Sequence, residues 1–128
     1  MSEVRKRVLV VDDDVRTARL LARLLGEDGF EVELATDGAA AIARLSRTPL
    51  PDALVTDLRM PHADGIAVAR YARSRNPRMP VFIVTGYPEL LTRLDDLLDQ
   101  ETRVFPKPLA YPELTAAMRG SLEVTGPG

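Results

Sequence analysis

The amino-acid sequence predicts an α/β domain in which five strands and five helices alternate, building a doubly wound sandwich around a parallel sheet. Three observations carry this expectation. Val8-Leu9-Val10-Val11 and Val81-Phe82-Ile83-Val84 are wholly apolar, β-favouring runs, and Ala53-Leu54-Val55 begins a third; strands covered on both faces read this way. Between these runs the apolar period lengthens to that of amphipathic helices. The connections are too short for anything but right-handed crossovers between parallel neighbours.

Taken in order, the first strand ends in Asp12-Asp13-Asp14, and a helix follows from Val15 to Asp28. Its periodicity places Thr17, Leu20, Leu21, Leu24 and Leu25 inward and Arg16, Arg19, Arg23 and Glu27 outward, and Gly29 closes it. Glu31-Val32-Glu33-Leu34-Ala35 alternates, as an edge strand with one solvated face does. Asp37 caps a second helix through about Leu45, and Pro49 and Pro51 bracket the loop to the third strand, Ala53 to Asp57. Asp64 is positioned to cap a helix from Gly65, with Ile66, Val68, Ala69 and Ala72 for burial. After the fourth strand and Thr85-Gly86, Pro88 suits the first turn of a helix striped by Leu90, Leu91, Leu94, Leu97 and Leu98. Arg103-Val104-Phe105 is a short fifth strand stopped by Pro106-Lys107-Pro108, and Pro112 opens a last helix through Leu114, Ala117, Met118 and Leu122. Three apolar strands, one amphipathic edge strand and one short strand fit a flavodoxin-like sheet in the order 2-1-3-4-5.

The 128 residues suit one domain, with an ordered core over about 6–122 and a flexible tail over 123–128. A formal charge of −2 gives no bulk attraction to nucleic acid or anionic membrane, so direct nucleic-acid binding is not expected. Cysteine is absent, excluding disulfides and thiol chemistry. The charged start, Met1 to Arg7, leads into an apolar run too short for a signal peptide or membrane span, which points to a cytoplasmic protein.

With strands 1, 3 and 4 adjacent, their carboxyl ends bring Asp12, Asp13, Asp57 and Thr85 into one shallow cleft, with Lys107 entering from beside it. Carboxylates crowded to ~4 Å repel by about 4 kcal/mol per pair at an effective dielectric near 20, so the arrangement calls for a cation. Oxygen ligands without histidine or cysteine favour Mg²⁺. A carboxylate can attack phosphorus to give an aspartyl-phosphate, with the Lys107 ammonium and the Thr85 hydroxyl on the phosphoryl oxygens. Singly, each residue has a plainer reading: solvated turn and cap for the aspartates, turn hydroxyl for Thr85, surface lysine for Lys107. Their joint placement at four strand ends favours the functional one. His62, the lone histidine, reads as an exposed loop residue, and the leucines after Pro88 read mostly as core.

Val10-Val11-Asp12-Asp13-Asp14, Asp57-Leu58-Arg59-Met60-Pro61, Thr85-Gly86 and Lys107-Pro108 together resemble the receiver domain of two-component response regulators, over nearly the whole chain. The resemblance implies that Asp57 is the phosphoacceptor and that Asp12 and Asp13 position Mg²⁺ with the Arg59 carbonyl. It further implies that Thr85 is the switch hydroxyl, that Lys107 pairs with the phosphoryl group, and that the peptide before Pro108 is cis. The implied partners are a histidine kinase or histidine phosphotransfer protein as donor and a downstream effector, with phosphorylation-dependent dimerisation possible; the domain would be a switch rather than a turnover enzyme. The first helix begins beside the site and is the expected donor-docking element, with Arg16, Thr17 and Arg19 on its rim. The protein would be a stand-alone receiver or one excised from a longer regulator or kinase.

The chain departs from that pattern before the lysine. Many receivers carry Tyr or Phe three residues earlier, where this chain has Val104; Phe105 is offset by one and should face the other side of the sheet. Asp99-Gln100-Glu101 replaces the small Gly-Ala pair that often precedes the fifth strand, so an atypical surface is expected around that strand. Two alternatives remain at this stage. A pseudo-receiver would bind partners without phosphoryl chemistry, although the full acidic and basic set argues against it. A haloacid-dehalogenase-like phosphatase would need Asp-x-Asp-x-Thr/Val, and Asp12-Asp13-Asp14-Val15-Arg16 fails at the last position.

Overall fold

In the computed structural model, residues 5–58, 65–86 and 101–122 are described. Strands β1 (Arg7–Val11), β2 (Glu31–Ala35), β3 (Ala53–Asp57), β4 (Val81–Thr85) and β5 (Thr102–Pro106) form one parallel sheet in the order β2-β1-β3-β4-β5. The helices described are α1 (Val15–Glu27), α2 (Gly38–Leu45), α3 (Gly65–Arg75) and α4 (Tyr111–Leu122). The expected Asp64 cap, the Pro88 helix, the Arg59 carbonyl and the 123–128 tail lie outside the described residues.

Alternation along the strands divides the core in two. Val8, Val10, Ala53, Val55, Phe82 and Val84 face α1 and α4, where Leu25, Leu114 and Met118 close the layer. Leu9, Val11, Leu54, Val81 and Ile83 face α2 and α3, against Leu45, Ile66 and Ala72. β3 and β4 are buried at every position, which is why their sequences show no polar alternation, whereas β2 is half-exposed at the sheet edge. Fully burying each such Leu or Phe side chain stabilises the fold by about 1.5–3 kcal/mol.

Local signals end the helices as the sequence indicates. Asp37 caps α2 by accepting from Ala40 N at 2.7 Å. Asp28 caps the end of α1, and Gly29 takes a φ of 98° that costs a glycine little. α4 starts at Tyr111, so Pro112 sits in its first turn, where its missing N–H would have had no intrahelical partner.

One expectation needs correction. α1 buries Ala18, Leu21 and Leu25, while Thr17 is exposed, Leu24 is half-buried and Leu20 is 57% exposed. Two apolar stripes, 17-20-24 and 18-21-25, lie about one residue's rotation apart on the helix. Contact with a flat sheet selects the one containing Ala18, whose small side chain permits close approach.

Candidate functional site

The site is assembled at the carboxyl ends of β1, β3 and β4. β1 runs into Asp12, which is 8% exposed, and Asp13, which is exposed; β3 ends in Asp57, 7% exposed. One carboxylate oxygen from each of Asp12, Asp13 and Asp57 lies within 4.8 Å of the other two. The sheet order alone explains why acids forty-five positions apart meet: β1 and β3 are adjacent and in register from Val8↔Ala53 to Val11↔Thr56. Asp57 Oδ1 accepts a hydrogen bond from Leu58 N at 2.7 Å, and its Oδ2 accepts one from Lys107 Nζ at 2.8 Å.

Lys107 follows β5 and is tied to β4 through its backbone, its N–H donating to the Thr85 carbonyl at 2.9 Å. The Lys107–Pro108 peptide is cis, as the resemblance implies. Thr85 ends β4 and is buried, next to the Asp57↔Val84 pair of the β3–β4 ladder. The structure thus brings Asp12, Asp13, Asp57 and Lys107 together and holds Thr85 on the neighbouring strand end.

The electrostatics follow from burial and crowding. Burial pushes the Asp12 carboxyl above the ordinary carboxylate range; the Asp14 backbone N–H and Lys107 oppose this, and the charges of Asp57 and Asp13 add to it. Burial of the Lys107 ammonium works against its charge, but its hydrogen bond to Asp57 and the three nearby carboxylates outweigh that and hold its pKa above the usual lysine value. Among the described residues three carboxylates face one ammonium, an excess of negative charge, and each carboxylate pair at this spacing repels by roughly 3–4 kcal/mol at an effective dielectric near 20. An all-oxygen donor set of this kind, two of its members nine-tenths buried, fits a hard divalent cation such as Mg²⁺. Asp12, Asp14, Asp57 and Lys107 themselves line a cavity of about 340 Å³, together with apolar residues that include Val10, Leu21, Val84 and Leu109.

Two residues that shape the site are not among the expected site residues. Gly65 opens α3 against β3: its N–H donates to the Leu58 carbonyl at 2.8 Å, and a Cβ there would lie 1.8 Å from the Asp57 carbonyl oxygen. The only signal is a glycine opening a helix eight residues after the central acid. Asp14 caps α1, its Oδ1 accepting from Arg16 N and its Oδ2 from the Thr17 hydroxyl, while its own N–H donates to Asp12 Oδ1. The Thr17 hydrogen bonds hold the Asp14 carboxyl below the ordinary carboxylate range. The Asp14-x-x-Thr17 spacing was the available clue.

The departure at β5 is as expected. Val104 packs into the α2–α3 layer and Phe105 into the α1–α4 layer, its ring centroid 6.5 Å from that of Phe82.

With this geometry in view, comparison with known proteins is specific. Residues 8–119 match the response regulator receiver domain, and the chain belongs to that family, a signalling domain of two-component systems. Response regulator MprA of Mycobacterium avium (strain 104) is 40% identical over 121 residues, covering 94% of this chain and 53% of that protein. The chain therefore spans about half the length of the curated relatives it matches. A response regulator receiver protein from Sinorhizobium medicae WSM419 superposes with a TM-score of 0.84 at 28% identity, covering 96% of this chain and 98% of the other. The receiver domain of Francisella response regulator 1452 gives 0.79 at 26% identity, covering 93% and 98%. The five-stranded order and the two helical layers are those of this fold.

Proposed function

We propose that Asp57 accepts a phosphoryl group from a phosphohistidine of a histidine kinase or histidine phosphotransfer protein, and that the modified domain switches the binding of a downstream effector. The single observation that carries this reading is the convergence of Asp12 and Asp13 on Asp57 while Lys107 holds one Asp57 oxygen at 2.8 Å. In the transfer, an Asp57 carboxylate oxygen forms a bond to phosphorus as the phosphorus–nitrogen bond breaks, and the imidazole of the donor keeps the electron pair. Lys107 is placed to exchange its carboxylate partner for a phosphoryl oxygen, and Thr85 on the adjacent strand end is the candidate for a second one. Asp12, Asp13 and Asp57, with the Arg59 carbonyl, are the candidate ligands of Mg²⁺, which when bound would neutralise the charge that these acids and the incoming phosphoryl group accumulate.

The Arg16, Thr17 and Arg19 edge of α1 is solvent-exposed beside the site and is the proposed donor-docking rim. Such a domain works as a switch in the cytoplasm, its protein partners set by regions beyond the chemistry. Among the described residues no helix is long and apolar enough to cross a membrane. The aromatic that would report phosphorylation from position 104 is absent, so the usual coupling of the Thr85 hydroxyl to an aromatic at that position is not expected here.

Intact mass analysis after incubation with acetyl phosphate and Mg²⁺ tests the reading. The native chain should take up one phosphoryl group and Asp57→Asn none. Uptake by both would move the acceptor elsewhere, and rapid multiple turnover of a phosphate ester would indicate a phosphatase.

A further inference from the structure

We propose that Asp14 is a positioning residue for the cation site: by capping α1 it fixes its own backbone N–H on Asp12 and so presents the second Asp12 oxygen to the metal. This rests on the reading of Asp12, Asp13 and Asp57 as cation ligands. The chain of contacts begins in the first turn of α1. Asp14 Oδ1 accepts from Arg16 N at 3.1 Å and from Thr17 N at 3.4 Å, and Oδ2 accepts from the Thr17 hydroxyl at 2.9 Å. These bonds hold Asp14 in an extended conformation, φ −81° and ψ 100°. In that conformation its N–H reaches Oδ1 of Asp12, a member of the carboxylate cluster, at 2.9 Å.

The geometric consequence is that Asp12 cannot turn freely. A carboxylate with one oxygen engaged by a fixed N–H has a defined direction for the other, which favours a ligand needing near-octahedral geometry. Both Asp14 oxygens are engaged by the first turn of α1, so its carboxylate acts through Asp12 and not by ligation. Its charge and its capping role make separate predictions. Asp14→Ala and Asp14→Asn remove the same negative charge, but only alanine removes the cap, since asparagine is as good an N-cap as aspartate.

The test is calorimetric titration of the full chain with Mg²⁺ alone, without any phosphodonor, accompanied by the amide ¹⁵N–¹H shift of residue 14 and by far-ultraviolet circular dichroism. Asp14→Ala should weaken Mg²⁺ binding by about tenfold, the lower end of the effect of removing a group that orients a metal ligand. Asp14→Asn should restore affinity to within about twofold of native and keep the hydrogen-bonded amide shift. Equal weakening in both variants would show that charge alone matters and overturn the proposal, as would native affinity in the alanine variant. A native chain that binds no Mg²⁺ would overturn the cation-site reading together with this one, a result distinct from native binding that ignores the cap.

Discussion

Two ion pairs at different places in the sheet show how differently the same charges can be used. On the β2 edge, Arg44 grips Glu33 with both ends of its guanidinium, at 2.8 and 2.9 Å, and donates further to the Arg47 and Pro49 carbonyls. Arg7 meets Glu33 at 3.6 Å and Glu31 at 3.7 Å, so two arginines face two glutamates. At the mouth of β3, Lys107 meets Asp57 at a similar 2.8 Å, but Asp12 and Asp13 crowd the same space. The first group is balanced and its donors are engaged; the second, among the described residues, sets three carboxylates against one ammonium. A short ion pair therefore says little about role until the charges around it are counted, and the acid-rich cluster is the better candidate for a ligand site.

The two regions also differ in what holds them. At the site, close backbone approach adds to the side-chain contacts, and the strongest test addresses the backbone. Gly65→Ala puts a methyl group into the Asp57 and Leu58 main chain, which no rotamer change can relieve. It should destabilise the domain by roughly 3 kcal/mol, at the upper end of ordinary overpacking, measured by urea denaturation. A loss below about 1 kcal/mol, the lower bound for such strain, would mean that α3 can retreat from β3 easily.

Next in size is Glu33→Gln, which leaves the largely buried Arg44 without its anion and should cost about 2 kcal/mol, as expected for a charged hydrogen bond. The Arg44 hydrogen bond, together with the nearby arginine charges, holds the Glu33 carboxyl below the ordinary range despite partial burial. Its stabilisation is thus present above the usual carboxylate pKa and is lost as pH falls through the lowered value in the folded chain. Denaturation between neutral pH and about pH 3 should show that loss in the native chain and a smaller one in Glu33→Gln.

The smallest effect has the opposite sign. Asp12→Asn removes one of three crowded acids, so in chelator-treated buffer it should raise stability by about 1 kcal/mol while weakening Mg²⁺ uptake. If Asp12→Asn destabilises as Glu33→Gln does, the contrast between balanced edge and strained site collapses.

Much of this was legible in advance, for reasons that differ by residue. β1, β3 and β4 announce themselves because buried parallel strands tolerate only apolar side chains, and Asp57 stands out as the charge that ends such a run. Asp37 and Gly29 were readable because caps are local chemistry. The rotation of α1 was not, since Leu20 and Leu21 are equally apolar and only packing distinguishes them.

The chain's own order of residues determined the alternating elements, the face that each strand residue takes, the offset of Phe105 from Val104 and the set of acids and lysine available for chemistry. All of these follow from short-range periodicity and residue type. Only the three-dimensional arrangement decided that Ala18 and not Leu20 meets the sheet, that Gly65 touches the Asp57 backbone, and that Asp14 reaches back to steer Asp12. Each of these depends on the distance between groups brought together by sheet pairing and helix docking, and such distances have no counterpart in linear spacing.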